Sequence, residues 1–492
     1  MRQTFRTFAL GLCLATSGCI TTGPDYARPK FDTPERWRMD YEAVAGAANT
    51  RWWEQFQDPA LDQLIDRALR ENLDVRIAAA RVDQFVGALT STRSQFYPQI
   101  GYNLDASRNR ATERGTTPLP AGTDPHYSLY QGALSADWQL DLFGRVRRQS
   151  EAVQAQVFAA EQGRRGVILT LVASIATAYI DLRALDRQFE IARTTANNYA
   201  ETLRIYEARF KQGVVSQVEV SSVQSQYQQA LASIPSIEGQ IASQENLISI
   251  LLGKVPGPIP RGKNIDQLVA PAIPADLPAS LLARRPDIVQ AEQNLIAANA
   301  DIGSARALYY PSFSLTGLLG SISTALGDFL SGPSAAWSLA AGLAGPIFTF
   351  GGIEGQVASA EAAERAALAS YQSAILAGLR DTNDALFGAL KKREEYEALS
   401  KRVVALSEYA RLSRLRFDNG VSSYIEVLYA ENELFSASLA AVRAQAERFG
   451  QHVAVYKALG GGWVDEADLI APKPLVYVTE RETTPDAPAS KK

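Results

Sequence analysis

The chain has 492 residues, 46% of them hydrophobic and 21% charged, with a formal net charge of -4. That length allows roughly two to four ordinary domains, and the apolar content predicts an ordered chain. The balance excludes binding to nucleic acid through a basic stripe. No run of 18 apolar residues follows the first 20 positions, so a helical span in the mature chain is not expected either.

The first residues read as an export signal (residues 1–18). Arg2 and Arg6 supply its positive end, and Phe8 to Ala15 is an apolar core too short to span a membrane as a stable helix. Thr16-Ser17-Gly18-Cys19 resembles a bacterial lipobox, although Thr16 stands where Leu is usual. The expectation is cleavage after Gly18 and lipidation of Cys19; the alternative is an ordinary signal with an incidental cysteine. Ile20, rather than Asp, follows the cysteine and resembles an outer-membrane address. The other cysteine, Cys13, lies within the signal, so the mature chain forms no internal disulfide. Residues 19–58 follow as a lipidated N-terminal segment.

The rest of the chain is duplicated. Arg209-Phe210-Lys211-Gln212-Gly213-Val214 returns 207 positions later as Arg416-Phe417-Asp418-Asn419-Gly420-Val421. At the same offset Val218-Glu219-Val220 meets Ile425-Glu426-Val427, and Phe143-Gly144 meets Phe350-Gly351. Tyr97-Pro98 meets Tyr310-Pro311 at an offset of 213. Ordered landmarks of this kind mark repeated units: residues 59–253 and 282–459, separated by a Pro-rich connector (254–281) and followed by a tail (460–492).

Each unit opens with a helix, expected over Pro59–Phe96 and Pro286–Leu308. Tyr-Pro closes each one, because proline disfavours helical geometry in the residue before it. Strand hairpins are expected at 99–142 and 312–348. Tyr102, Leu104 and Ala106 alternate with Asn103, Asp105 and Ser107. From Tyr130 to Leu140, apolar or small residues alternate with a face carrying Gln131, Ser135, Asp137 and Gln139, and Asp141 continues it. Period two with one apolar face describes a half-buried strand, of a length near the ~9–11 residues of a tilted transmembrane strand. A lipid face backed by a wet lumen fits, with Asp105, Asp137 and Asp141 in the lumen; a small soluble sheet packed on helices fits the same alternation.

Long helices follow, at 145–212 and 216–252 in the first unit and at 352–419 and 423–458 in the second. From Ile168 to Phe210 apolar residues recur in steps of three and four, a heptad seam of the coiled-coil type. A rod over Arg145–Gln212 would be about 100 Å long at 1.5 Å per residue, which demands an elongated column. Pro235 is expected to kink the helix that holds it. Four strands cannot close a barrel, and lipid-exposed sheet edges leave backbone groups unpaired. Several chains must then share one barrel; three give twelve strands, with room for water.

These features together resemble the TolC-type outer-membrane efflux proteins, in particular their OprM/NodT branch. The resemblance rests on Gly23-Pro24-Asp25-Tyr26, Trp52-Trp53, Asp141-Leu142-Phe143-Gly144, Arg284-Arg285-Pro286-Asp287 and Gly345-Pro346-Ile347-Phe348. It implies an α+β homotrimer: four strands per chain in a shared 12-stranded transmembrane β-barrel above a long periplasmic α-helical barrel. It also implies a lipid-anchored duct in the outer membrane. The duct would take small toxic compounds passively from an inner-membrane RND-type transporter through a periplasmic adaptor. A duct for type I protein secretion and a pore-less coiled-coil lipoprotein remain as alternatives.

No catalytic constellation, cofactor motif or metal site is expected. His126 and His452 are far apart, without Cys partners, and read as exposed; Gly351-Gly352 lacks the Lys-Ser or Lys-Thr of a phosphate loop. The functional candidates are the two hairpin tips, Gly213-Val214-Val215-Ser216 and Gly420-Val421-Ser422-Ser423. The resemblance makes them the adaptor contact and the closed entrance, while plain turn chemistry accounts for the glycines. Glu219 and Glu426 lie one turn inside. By the resemblance Glu426 lines the entrance and Phe417 matches an aromatic lock. Tyr429 replaces a second acidic residue, and Ser422 stands where some relatives carry Arg. A solvated helix face is the other reading of both glutamates.

Overall fold

The structure, a computed structural model, describes residues 21–34, 36–38, 50–112, 120, 122–273 and 284–475. The export signal, Cys19, most of the loop between the first two strands, part of the connector and the tail beyond residue 475 lie outside the described residues.

Helix α1 spans Pro59–Glu71 and α2 spans Leu73–Ser94. The sequence pattern predicts one continuous helix here, and Asn72 breaks it. Its backbone is extended, its side chain accepts from Val75 N at 3.0 Å, and its Nδ2 donates to the carbonyl of Leu251 at 2.9 Å. A capping residue that also holds a distant helix end starts a new helix rather than continuing the old one. Upstream, buried Asp58 caps α1 by accepting from Ala60 N, with Pro59 at the first helical position.

Strands β1 (Gln99–Arg110) and β2 (His126–Leu140) precede the rod α3 (Arg145–Lys211, 67 residues) and its return helix α4 (Gln217–Leu251). The second half repeats the order with α5 (Pro286–Arg306), β3 (Ser312–Ser323), β4 (Ala335–Ala344), α6 (Gly352–Asp418, also 67 residues) and α7 (Tyr424–Leu459). Helix α8 (Trp463–Ile470) folds back afterwards. Helix α4 runs without interruption through Pro235, which is exposed.

The heptad seam of α3 is buried from Ile168 through Leu182 and again at Ala192, Ala196, Tyr199 and Tyr206, and it surfaces at Phe210. One stretch of α3 is apolar and long enough to cross a membrane, but it is mostly buried within the chain; it is a core helix.

The main core lies midway along the rods. Trp52, Trp53 and Phe56 pack among α1, mid-α3, the end of α7 and α8. Trp52 stacks on Tyr456 at 5.2 Å, and Trp463 meets both tryptophans edge-on at 5.9 and 5.8 Å. Each buried large apolar side chain contributes about 1.5–3 kcal/mol, so this cluster ties the N-terminal segment to the C-terminal helix. Arg164 enters the same region fully buried, between Glu161 (2.8 Å) and Asp468 (2.6 Å).

The four strands form one antiparallel sheet in the order β1-β2-β3-β4, so β2 and β3 join the two halves. The register aligns Tyr102, Leu134, Leu319 and Trp337 across all four strands. Residues directly opposite share a face. One face therefore carries Ile100, Tyr102, Leu104, Leu134, Trp138, Phe313, Leu315, Leu319, Trp337, Leu339 and Leu343. The other carries Gln99, Asn103, Asp105, Gln131, Ser135, Asp137, Ser314 and Thr316, with Leu318 and Ile322 among them.

Candidate functional site: the hairpin tips and the sheet

The two tips are built alike. Each rod ends in a Schellman motif: Gly213 N donates to the carbonyl of Phe210 (2.9 Å) and Val214 N to that of Arg209 (3.0 Å). At the second tip Gly420 N reaches Phe417 (2.9 Å) and Val421 N reaches Arg416 (2.9 Å). Both glycines take a left-handed φ, +74° and +72°, which a side chain would strain. The turns leave Val214 and Val421 pointing out, each 68% exposed. Val215 instead folds inward against the aromatic packing behind the tips.

Behind the turns the tips diverge. Ser216 caps α4 in a complete capping box: its hydroxyl accepts from Glu219 N at 3.4 Å, and the Glu219 carboxylate accepts from Ser216 N at 2.7 Å. Ser423 occupies the matching position before α7, but its side chain makes no cap bond. Glu426 accepts instead from the Arg416 guanidinium at 3.0 Å. The buried hydroxyl of Ser422 has no partner among the described residues. Phe417 is half-buried, 5.0 Å from Tyr424 and 6.5 Å from Tyr206, and Tyr206 lies 4.5 Å from Tyr424. Three aromatic rings therefore pin the two tips of one chain to each other. Tyr429 is exposed and outside this cluster.

A basic partner set escapes the sequence pattern. Arg414 stands beside Glu431 (3.7 Å), Asp418 (4.0 Å) and the Tyr424 hydroxyl (3.4 Å). Burial raises the Glu431 carboxyl above its ordinary range, and Arg414 opposes the shift. For the Arg416–Glu426 pair a signal does exist: the two lie five residues either side of Val421, which places them opposite each other in a helical hairpin.

On the sheet, Asp105 and Asp137 share the polar face; Asp105 is exposed, and Asn103 Nδ2 donates to it at 2.7 Å. Asp141 is a correction. It lies past the end of β2, and its carboxylate accepts from Val146 N (3.2 Å) and Arg147 N (2.9 Å) in the first turn of α3. Its negative charge faces the positive end of a helix, so it belongs to the strand-to-helix corner rather than to the polar face of the sheet. His452 is a second correction: it is partly buried, and burial pushes the imidazole down to about 4. His126 is exposed beside Asp124. Among the described residues no group of His, Cys, Asp and Glu is arranged to hold a metal ion.

A four-stranded sheet with one apolar and one polar face, carried on paired rods about 100 Å long, defines a class of protein: a membrane channel component with a long helical stem. The family model for outer membrane efflux proteins matches residues 64–254 and 277–461. The solvent efflux pump outer membrane protein SrpC of Pseudomonas putida is 32% identical over 468 residues, 93% of this chain and 98% of that protein. The probable outer membrane lipoprotein SilC of Salmonella typhimurium is 29% identical over 454 residues, covering 91% and 97%. Among solved structures, the outer-membrane channel OprN superposes with a TM-score of 0.82 at 29% identity, over 90% of this chain and all of that one. The open state of the Neisseria gonorrhoeae MtrE outer membrane channel gives 0.81 at 31% identity, over 90% and 98%. The chain belongs to the outer membrane efflux protein family. It is an outer-membrane channel component of an efflux pump, not an enzyme.

Proposed function

We propose that three copies of this chain close one twelve-stranded barrel in the outer membrane above a twelve-helix periplasmic tunnel. In this reading the duct passively exports small toxic compounds delivered by an inner-membrane RND-type transporter through a periplasmic adaptor. The observation that carries it is the sheet. Tyr102 and Trp337, at its two ends, are 80% and 77% exposed on the apolar face, while β1 and β4 have no outer partner among the described residues. An apolar face suits lipid, but unpaired edges do not, so neighbouring chains must supply the missing strands. Eight strands would leave a bore filled by side chains; twelve leave a passage. A second uncovered stripe on α6 (Leu376, Val404, Leu412, Leu415) supports burial against another copy.

The remaining roles follow that frame. Asp105 and Asp137 face the barrel lumen. Val214 and Val421, on turns held by Gly213 and Gly420 with Val215, Ser216, Ser422 and Ser423, are the adaptor contact. Glu426, with Glu219, Phe417 and Tyr429, lines the entrance. Cys19 carries lipid that holds the chain at the outer membrane. Relatives named for solvent and toluene efflux support small apolar cargo. The test is the purified full chain in planar bilayers, together with compound accumulation in a deletion strain. Single-channel conductance and raised accumulation are expected; a chain that never conducts, even with the tips opened by substitution, sinks the reading.

A further inference from the structure

The apolar face of the sheet is not uniform along its height. The register places Ile100, Tyr102, Leu104, Ala106, Arg108 and Arg110 of β1 on it, and Leu134, Gly132, Tyr130, Ser128 and His126 of β2 stand opposite the last five. Charge is segregated between the faces. Both carboxylates of the four strands, Asp105 and Asp137, lie on the polar face. Both guanidiniums and the imidazole, Arg108, Arg110 and His126, lie on the apolar one, at the hairpin end remote from the rods. All three are exposed, and Arg108 Nη1 donates to the Ser128 hydroxyl at 3.0 Å. Asp124 borders the group; it accepts from the His126 amide at 2.9 Å and meets its ring at 3.1 Å. Two guanidiniums against this carboxylate leave the group cationic.

An apolar ledge lies just below. The loop from β3 to β4 folds back over the same face. A Cβ added to Gly132 would sit 2.7 Å from Phe329 Cζ and 2.8 Å from Leu104 Cδ2, so the Phe329 ring fills the place a side chain would take. Leu326 precedes Phe329 and Leu330 at the helical spacings that put neighbours on one side of a turn. The two leucines are 67% and 89% exposed. The Ser331 and Ser334 hydroxyls fix the turn by donating to the Asp328 carbonyl at 2.6 and 2.7 Å.

We infer that this corner of the sheet binds a phosphorylated lipid of the outer leaflet: Arg108 and Arg110, with Ser128 and His126, hold its phosphate, and Phe329, Leu326 and Leu330 lie along its acyl chains. The inference rests on the shared-barrel reading, because only there does this face meet lipid. Height agrees with it. Arg108 and Arg110 follow Ile100 along β1, and at about 3.4 Å per residue and a tilt of about 40° they stand roughly 20 and 26 Å above it. The apolar band of such a barrel is about 25 Å tall, so the guanidiniums reach its upper boundary, where headgroup phosphates begin. Guanidinium meets phosphate through paired, charge-assisted hydrogen bonds. Water alone would accept carboxylates at this height as readily as cations, and it would leave the exposed leucines of the loop without cover.

The test reconstitutes the full chain in phosphatidylcholine bilayers containing a minor fraction of lipid A, either diphosphorylated or dephosphorylated. The lipid retained after detergent extraction is counted by native mass spectrometry. The diphosphorylated form should be retained at least severalfold better. Arg108→Gln with Arg110→Gln should abolish that preference, and Arg108→Lys with Arg110→Lys should keep much of it. Phe329→Ala should lower retention of both forms while preserving the preference. Equal retention of the two forms by the wild type, which needs no variant, overturns the inference. So does a preference unchanged by the Gln pair, or inorganic phosphate retained in place of the lipid, which would mark an anion site only. Single-channel conductance in the same bilayers keeps the two readings apart. Conducting channels without a lipid preference leave the shared barrel standing, and a chain that never conducts removes the barrel reading itself.

Discussion

Arg416 on α6 and Glu426 on α7 face each other across the second tip at 3.0 Å, whereas in the first tip the counterpart of Glu426, Glu219, turns back to the Ser216 amide. The two helix starts are capped differently: Ser216 forms a capping box that engages Glu219, and the Ser423 side chain makes no cap bond. Arg416 and Glu426 both keep solvent contact, and an exposed pair contributes about 0–1 kcal/mol. Its consequence is electrical rather than structural. With Glu426 lining the entrance as proposed, Glu426→Gln should lower cation over anion preference in bilayer recordings, and Arg416→Ala should raise it by freeing the carboxylate. Melting temperatures should hardly move. Reversal potentials unchanged in both variants would remove Glu426 from the conduction path.

The same asymmetry predicts unequal responses to serine removal. Ser216→Ala deletes a cap bond and half of a reciprocal box, a loss of about 1 kcal/mol at the helix start. Ser423→Ala deletes no cap bond. Hydrogen exchange at the amides of Glu219 and Val220 should quicken several-fold in the first variant, while exchange at Glu426 and Val427 stays level in the second. Equal quickening at both tips would mean that Ser423 caps in solution.

In the proposed barrel, adjacent residues on β3 separate lipid from lumen. Leu319 aligns with Leu134 and Trp337, while Leu318 aligns with Ser135 and Ser338. A cationic side chain on the lipid face costs about 2–4 kcal/mol at the bilayer midplane. Leu319→Arg should therefore deplete protease-resistant protein in outer membranes. Leu318→Arg should insert normally and lower cation conductance. The reverse pattern would turn the sheet inside out.

Much of this architecture is legible in the sequence because its signals are periodic. Steps of three and four from Ile168 to Tyr206 mark α3, and alternation from Tyr130 to Leu140 marks β2. The paired Gly-Val turns mark both tips. Single-residue decisions are not legible. Asn72 looks like any polar residue in a helical stretch until Leu251 is beside it to take its amide. Asp141 continues the alternation of β2 by one position, and only the chain's turn into α3 reveals that it caps a helix. Nothing in the local pattern around His452 distinguishes a covered imidazole from an exposed one, because its cover comes from packing at long range.

His452 sets a pH dependence with a definite sign. Its folded-state value is pushed down to about 4 from an ordinary 6.5. Between those values the unfolded chain binds the proton and the native chain does not, so this group's contribution to stability is present above pH ~6.5 and is lost as pH falls toward ~4. Asp62 and Asp181 act oppositely: burial raises both to about 6, and native protonation there favours the fold as pH falls. The difference between wild type and His452→Gln isolates the imidazole. The melting temperature of the wild type should drop more steeply from pH 6.5 to 4.5 than that of the variant. Parallel slopes would place His452 in contact with water.

The segment after Cys19 is strapped to both halves of the chain, and a pair of glycines makes this possible. The Thr22 hydroxyl donates to the carbonyls of Phe143 (3.1 Å) and Gly303 (2.9 Å), and Arg148 reaches both the Thr22 carbonyl and Asp25. A Cβ on Gly303 would sit 2.5 Å from the Thr22 oxygen, and one on Gly23 would sit 2.4 Å from the Gly303 Cα. Backbone cannot yield there as a side-chain tip can. Gly23 also holds φ +88°, so Gly23→Ala adds backbone strain of about 1–3 kcal/mol to the clash. Gly303→Ala should displace the strap without touching the sheet. Limited proteolysis should then cut between residues 22 and 38 at least severalfold faster in both variants, while the sheet and rods keep their protease-resistant core. Cleavage at the wild-type rate would show that the segment's other contacts, among them the Arg148–Asp25 and Arg28–Glu292 ion pairs and the Asn299–Pro24 hydrogen bond, hold it to the body, with the glycine crossing dispensable.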